Sequence, residues 1–139
     1  MIADEGDLFV VNADGSERRT VVRADGMQFD ADWSPDGRGV VYRDSSGEQP
    51  DELHSVAVDD SEPVNLTRDP AGDWSPAWSP DGGQIAFASD REGELRSFVM
   101  GADGSGVRRV IVPAGGSGPI LRLAGDALRG GFPAWAPAG

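Results

Sequence analysis

The feature that most constrains this fold is a short motif that occurs three times. Trp33-Ser34-Pro35-Asp36-Gly37 returns as Trp78-Ser79-Pro80-Asp81-Gly82 and, in degenerate form, as Trp135-Ala136-Pro137-Ala138-Gly139. Proline presets the backbone at the first central position of a tight turn, aspartate can bond its own backbone, and glycine accepts a left-handed conformation. We therefore interpret each copy as the end of a strand followed by a tight reversal.

The spacing of these copies defines a long repeat. Trp33 and Trp78 are 45 residues apart, and the pair Asp14-Gly15 returns as Asp103-Gly104 after about twice that distance. A period of this length with strand and turn content is typical of one four-stranded propeller blade. The sequence therefore predicts an all-β chain of antiparallel, four-stranded blades.

Alternating apolar and polar residues between the turns predict the strands of each blade. We divide the chain into the last two strands of one blade (1–26), two full blades (27–72 and 73–113), an irregular insertion (114–131) and the first strand of a further blade (132–139). Within the insertion, residues 120–123 fit either a short strand or a turn of helix.

The number of blades is below three, whereas propellers close with about 4–8. The sequence is therefore either part of a longer propeller or one half of a ring that a second copy completes. In the homodimer, residues 132–135 of one copy would join the strands of residues 7–22 of the other.

Charge and composition narrow the possible partners. The chain has 24 acidic residues against 12 basic ones, all arginine, and a net charge of −12. This charge repels phosphate backbones and anionic lipids, so we expect neither nucleic-acid nor membrane binding. No apolar run reaches the roughly 18 residues of a membrane-spanning helix, and the first residues do not resemble a signal peptide. We expect an acidic, soluble protein, with no compartment indicated.

Residues with catalytic or ligand-binding chemistry do not form a recognisable set. His54, the only histidine, falls at the repeat position of Phe9 and Phe98, so we expect a partly buried strand residue rather than a metal ligand. The chain contains no cysteine and no Gly-x-Ser-x-Gly motif for serine chemistry. The glycine-rich segments 104–106 and 115–118 do not lead from a strand into a helix, so they do not predict a phosphate site.

Two groups of aspartates allow a functional interpretation, as a cation site or as catalytic carboxylates, besides the structural one. The aspartates of 30–32 and 59–60 could hold at most a loosely bound cation, since no calcium-loop spacing is present. Asp36 and Asp81 could serve as paired carboxylates, but the turns explain both of them. We expect no catalytic residue, no cofactor and no metal site.

The four tryptophans could form a sugar-stacking surface or pack between blades. Trp33, Trp78 and Trp135 recur in phase, which favours packing, and Trp74 aligns with Phe29, another aromatic. We expect all four to contribute to the core.

The repeat resembles the WD40-like repeat of the TolB-like β-propeller family, which reads Pro-x-Trp-Ser-Pro-Asp-Gly, an Ile-Ala-Phe strand, Ser-Asp-Arg, a further strand, Asp-Gly-Ser and Arg-Arg. Residues 76–110 match it nearly throughout, 30–67 match it less closely, and 8–21 match its second half. The resemblance implies an incomplete propeller of under three blades.

Members of this family use the propeller in two ways. It is a binding platform in TolB-like proteins and a gating domain in prolyl-oligopeptidase-like enzymes. We expect a non-catalytic platform for protein–protein interaction. The alternatives are the propeller region of a peptidase-like or other hydrolytic enzyme whose catalytic residues lie outside this chain, and a propeller that binds a small ligand or sugar.

Overall fold

The computed structural model describes residues 2–4, 6–23, 26–45, 48–59, 62–111, 121–123 and 133–135. All regular structure in these ranges is antiparallel β-sheet, which confirms the predicted all-β class. The same ranges contain no helix long and apolar enough to span a membrane.

The first sheet has three strands in the order in which they occur along the chain. They are β1 (Ile2–Asp4), β2 (Asp7–Val10) and β3 (Arg19–Val22). The sequence predicted only the last two. β1 has three residues and no alternating pattern of its own. It is defined by its pairing with β2, in which Ile2 lies opposite Phe9.

Two four-stranded sheets follow, each a simple meander, and they correspond to the two predicted full blades. The first blade contains β4 (Met27–Trp33), β5 (Gly39–Ser45), β6 (Glu52–Ala57) and β7 (Val64–Asn65). The second contains β8 (Asp73–Trp78), β9 (Gln84–Ser89), β10 (Arg96–Gly101) and β11 (Arg108–Arg109).

The last strand of each blade is shorter than the sequence predicted. β7 ends after Asn65 because the carboxamide Oδ1 of this residue accepts hydrogen bonds from Thr67 N, at 3.1 Å, and Arg68 N, at 3.2 Å. A side chain that bonds its own backbone two residues on turns the chain away from the sheet.

The first strand of both blades carries a bulge at the same repeat position. The register between β4 and β5 shifts between Phe29 and Asp32, and that between β8 and β9 shifts between Trp74 and Ala77. Within these bulges Asp30 has φ 51° and Ser75 has φ 53°, a left-handed conformation that is uncommon for residues other than glycine. Such a bulge bends the strand and increases its twist.

The hydrophobic core lies between the sheets, on both faces of the first blade. One face forms a cluster with the second blade: Val41, Leu53, Leu66, Ile85, Phe87, Phe98 and Met100. The other face forms a cluster with the first sheet: Leu8, Val22, Val40, Tyr42 and Val56. Face-to-face stacking of successive sheets is the packing expected of propeller blades.

The C-terminal part of the chain contributes a two-stranded sheet. β12 (Leu121–Leu123) pairs with β13 (Pro133–Trp135), with Leu121 opposite Trp135. Of the two alternatives for residues 120–123, the structure has the strand. The backbone of β13 lies against β8 and β9. Most of the predicted insertion, 114–131, falls outside the described residues.

Candidate functional site: the groove between the two Ser-Pro-Asp-Gly turns

The turn after β4 is held by its serine and its aspartate. Asp36 Oδ1 accepts hydrogen bonds from the Ser34 hydroxyl, at 2.6 Å, and from Arg38 N, at 3.0 Å. The Ser34 oxygen accepts in turn from Gly39 N at 3.0 Å, and Gly37 has φ 71°. Each residue type of the motif therefore has a structural role in the tight reversal that the sequence predicted.

The turn after β8 repeats this geometry closely. Asp81 Oδ1 accepts from the Ser79 hydroxyl, at 2.6 Å, and from Gly83 N, at 2.9 Å. Ser79 Oγ accepts from Gln84 N at 3.0 Å, and Gly82 has φ 72°. Pro80 is exposed, as is Pro35 in the first turn.

The Asp-Gly turns between the last two strands of a sheet use the same aspartate chemistry. Asp103 Oδ1 accepts from the Ser105 hydroxyl and from its backbone N, at 2.5 and 3.0 Å. Asp14 Oδ1 accepts from the hydroxyl and backbone N of Ser16, at 2.6 and 2.9 Å.

These hydrogen bonds lower the pKa values of the four turn aspartates. In each case the serine hydroxyl is the main reason that the carboxyl pKa is lowered, and a backbone N–H adds to the effect: Asp14, Asp36, Asp81 and Asp103. Donors to a carboxylate favour its ionised form. The four side chains, which any exposed aspartate would present as carboxylates at neutral pH, therefore keep their negative charge to a lower pH than usual.

The two Ser-Pro-Asp-Gly turns lie side by side because their blades are stacked. A Cβ placed on Gly82 would lie 3.7 Å from Pro35 Cδ. Immediately before the second turn, Trp78 N donates a hydrogen bond of 2.8 Å to Asp32 Oδ2 of the first blade. The same end of the two blades is thus linked by one hydrogen bond from a backbone N–H to a side chain and by the close approach of the two turns.

A groove of about 550 Å³ lies between these turns. Its walls include Ser34, Asp36 and Arg38 of the first turn, Ser55 of β6, and Trp78 and Asp81 of the second blade. The volume is within the range of roughly 300–1,000 Å³ found for ligand sites. We take this groove as the candidate functional site.

The groove wall contains hydroxyl, carboxylate and guanidinium groups. Among the described residues, no three histidine or acidic side chains are placed to hold a metal ion. His54 is not part of the groove wall. It lies half-buried in β6, with its ring centroid 5.8 Å from that of Tyr42 and its Nε2 4.0 Å from Glu52 Oε2. The groove wall thus contains serine hydroxyls and carboxylates without a histidine.

The carboxylates that the sequence offered for a loose cation are engaged in protein contacts. Asp30 pairs with Arg43 at 3.2 Å, and Asp32 accepts the Trp78 backbone N–H. Asp59 is exposed and makes contacts of its own. Asp60 lies outside the described residues.

The tryptophans whose side chains the structure describes differ in burial and in contacts. Trp78 is half-buried and packs against the cluster between the two blades. Trp74 is also half-buried, and its Nε1 donates to Asp51 Oδ2 at 3.0 Å. Trp33 is 37% exposed, so it is less covered than Trp78 at the same position of the repeat. The side chain of Trp135, in β13, lies outside the described part of the structure.

Sequence reasoning found both Ser-Pro-Asp-Gly turns and missed the groove that they form. The missing information was the stacking of the blades, which brings residues 45 positions apart to the same end. One signal was present in the sequence. Asp32 has alanine at both later repeat positions, Ala77 and Ala134, which fits a contact made once rather than in every blade.

The stacked meanders, the inter-blade core and the repeated turns define a β-propeller made of four-stranded blades. The family model that describes the TolB beta propeller domain matches residues 3–128. The chain belongs to this TolB-like β-propeller family.

Similar proteins include an uncharacterized protein of Agrobacterium fabrum, 28% identical over 82% of this chain and 41% of the relative. The Tol-Pal system protein TolB of Alcanivorax borkumensis is 31% identical over 66% of this chain and 21% of the relative. The solved structure of a TolB homologue from Agrobacterium tumefaciens has a TM-score of 0.65 at 27% identity, covering 74% of this chain and 40% of that one. The chain spans less than half the length of these relatives.

Enzymes are also among the similar proteins. An uncharacterized peptidase of Bacillus subtilis, YuxL, is 29% identical over 71% of this chain and 16% of the relative. An oligogalacturonate lyase solved with manganese has a TM-score of 0.59 at 24% identity, covering 73% of this chain and 28% of that one. The second likeness shows the fold alone. Family membership therefore defines the fold without defining one activity.

Proposed function

We propose that this chain is a non-catalytic part of a TolB-like propeller that serves as a platform for protein–protein interaction. The observation that carries the proposal is the groove between the Ser-Pro-Asp-Gly turns. It has the volume of a ligand site, with a half-buried tryptophan and charged side chains in its walls. Aromatic and charged groups around a concave surface are common features of recognition sites.

The test is to fill the groove and measure the recovery of partner proteins. Ala57, at the end of β6, lines the groove and is half-buried, so Ala57→Trp places an indole in it. Ala71 is also half-buried but precedes β8, at the opposite end of the second blade. Ala71→Trp is therefore the matched control.

The measurement is quantitative mass spectrometry on tagged full-length protein purified from the cells that produce it. We expect at least one partner whose recovery falls about fivefold or more in Ala57→Trp and is unchanged in Ala71→Trp. Equal recovery in both variants, with both folded by circular dichroism, would show that the groove is not the interaction site.

The second candidate function is the propeller region of a hydrolytic enzyme whose catalytic residues lie outside this chain. The similarity to the Bacillus subtilis peptidase favours it. The coding sequence next to this segment distinguishes the two candidates. A Gly-x-Ser-x-Gly motif between a strand and a helix would support the enzyme, and further propeller repeats followed by a stop would support the platform.

We also propose that a second copy of the chain supplies a strand to the first sheet. This is one of two ways in which a closed propeller ring would be completed. This sheet has three strands where each blade has four. By repeat register Ile2 corresponds to Tyr42 and Phe87, so the strand absent from this sheet is the first, tryptophan-bearing one. The other way is a further segment of a longer propeller.

A further inference from the structure

We infer that the groove between the Ser-Pro-Asp-Gly turns binds an extended, basic segment of a protein partner. This inference rests on the proposed function and adds the chemical class of the partner. The argument uses the charge of the walls, the side-chain atoms that remain open to a ligand, and the shape of the groove.

The charge of the groove is set by two carboxylates and one guanidinium. Asp36 and Asp81 are ionised at neutral pH like any exposed aspartate, and the serine hydroxyls and backbone N–H groups of their own turns lower their pKa values further. Arg38 also lines the groove, and its charge contributes to the lowered pKa of Asp36. The three charged side chains sum to −1, within a chain of net charge −12. A cationic ligand is therefore attracted both locally and at long range.

Each turn uses one oxygen of its aspartate and leaves the other available. In the described part of the chain, the hydrogen bonds to Asp36 and Asp81 all end on Oδ1. Both side chains are exposed, so Oδ2 can accept from a ligand without breaking the turn. Arginine and lysine are the side chains that donate most strongly to a carboxylate oxygen.

The orientation of both carboxylates is fixed before a ligand arrives. Two hydrogen bonds hold each side chain, and the two turns lie close together at Gly82 and Pro35. A fixed acceptor loses little conformational entropy on binding, which is the advantage of preorganisation.

The rest of the wall suits a peptide segment. Ser55, Val56 and Ala57 form one side of the groove along β6, and Trp78 contributes an indole. An open groove beside a strand accommodates an extended main chain, and an aromatic ring attracts a cationic side chain or packs against its methylene stem. A basic protein segment satisfies both requirements, whereas an anionic ligand would meet two carboxylates.

The experiment compares two double variants that change the net charge equally. Asp36→Asn with Asp81→Asn neutralises the groove, and asparagine Oδ1 can still accept the turn hydrogen bonds. Asp14→Asn with Asp103→Asn neutralises two turn aspartates of the same chemistry that do not line the groove. Both double variants lose two negative charges, so a difference between them cannot come from the overall field.

The probe is a fluorescein-labelled octapeptide of Ser-Arg repeats, added to the full-length protein and followed by fluorescence anisotropy. Its controls replace arginine with neutral citrulline or with glutamate. We expect the arginine peptide to bind the wild-type protein more tightly than either control. The groove variant should weaken it roughly fivefold to tenfold, since each exposed ion pair contributes modestly, and the outer variant less than twofold.

Three outcomes would overturn the inference: equal binding of the arginine and citrulline peptides, equal weakening in the two double variants, or preference for a neutral sugar over the arginine peptide. None of these tests the platform itself. If Ala57→Trp still abolished partner recovery while the peptide showed no basic preference, the proposed function would stand and the basic partner would not.

Discussion

At the scale of single residues, the turn glycines show where a side chain is disfavoured only by the backbone conformation and where a neighbouring atom also excludes it. Gly15 and Gly104 occupy the same position in the Asp-Gly turns of different sheets, with φ of 84° and 85°. A Cβ on Gly15 would have no atom within 4 Å, whereas one on Gly104 would lie 2.6 Å from Leu66 O of the preceding blade. The sequence explains both glycines in the same way, by the left-handed backbone conformation of the turn. Only the packing against the preceding blade distinguishes them.

We therefore predict that Gly104→Ala is the more destabilising change. Gly15→Ala should lower the free energy of unfolding by about 1–2 kcal/mol, the cost of a left-handed conformation with a side chain. Gly104→Ala carries the same cost and also forces the turn away from β7, so its loss should exceed that of Gly15→Ala by roughly 1 kcal/mol or more. Urea unfolding of both variants measures the difference, and equal losses would contradict the turn-to-blade contact.

At the scale of elements, β6 separates two cores. Leu53 is fully buried in the cluster shared with β9 and β10, and Val56, 3% exposed, belongs to the cluster shared with β2 and β3. The strand alternation in the sequence placed these side chains on opposite faces. It did not show that each face is covered by a different sheet.

This arrangement predicts that alanine substitutions on the two faces of β6 destabilise different neighbouring strands. Leu53→Ala should lower stability by roughly 2–5 kcal/mol and reduce amide hydrogen-exchange protection in β9 and β10. Val56→Ala should instead reduce protection in β2 and β3. If both variants loosened the same strands, the two clusters would not be independent.

At the scale of the whole molecule, the described sheets leave surfaces that a closed ring would cover. The first sheet lacks a fourth strand, and two complete blades are fewer than any propeller contains. Unpaired strand edges promote association with other chains. We propose that the ring is completed either by a second copy or by more of the same protein.

We predict that the 139-residue chain by itself does not behave as a stable monomer. Light scattering coupled to size exclusion should give about twice the 14.6 kDa chain mass if two copies complete a ring. If further segments complete it, the isolated chain should instead be aggregated or partly unfolded. A monomer that melts cooperatively would contradict both ways of closing the ring.

The sequence by itself determined the blade and its turns, because both are encoded locally. The Ser-Pro-Asp-Gly residues specify a reversal through proline, aspartate and glycine chemistry, and their 45-residue spacing specifies the size of one blade. The class of fold and the family follow from these two facts.

The tertiary structure decided what the turns do together. The groove between Asp36 and Asp81, the bond from Trp78 N to Asp32, and the exposure of Trp33 depend on how one sheet stacks on the next. β1 is likewise a strand because it pairs with β2. These features arise from contacts between residues far apart in the chain, and no local pattern encodes which of several similar surfaces will meet.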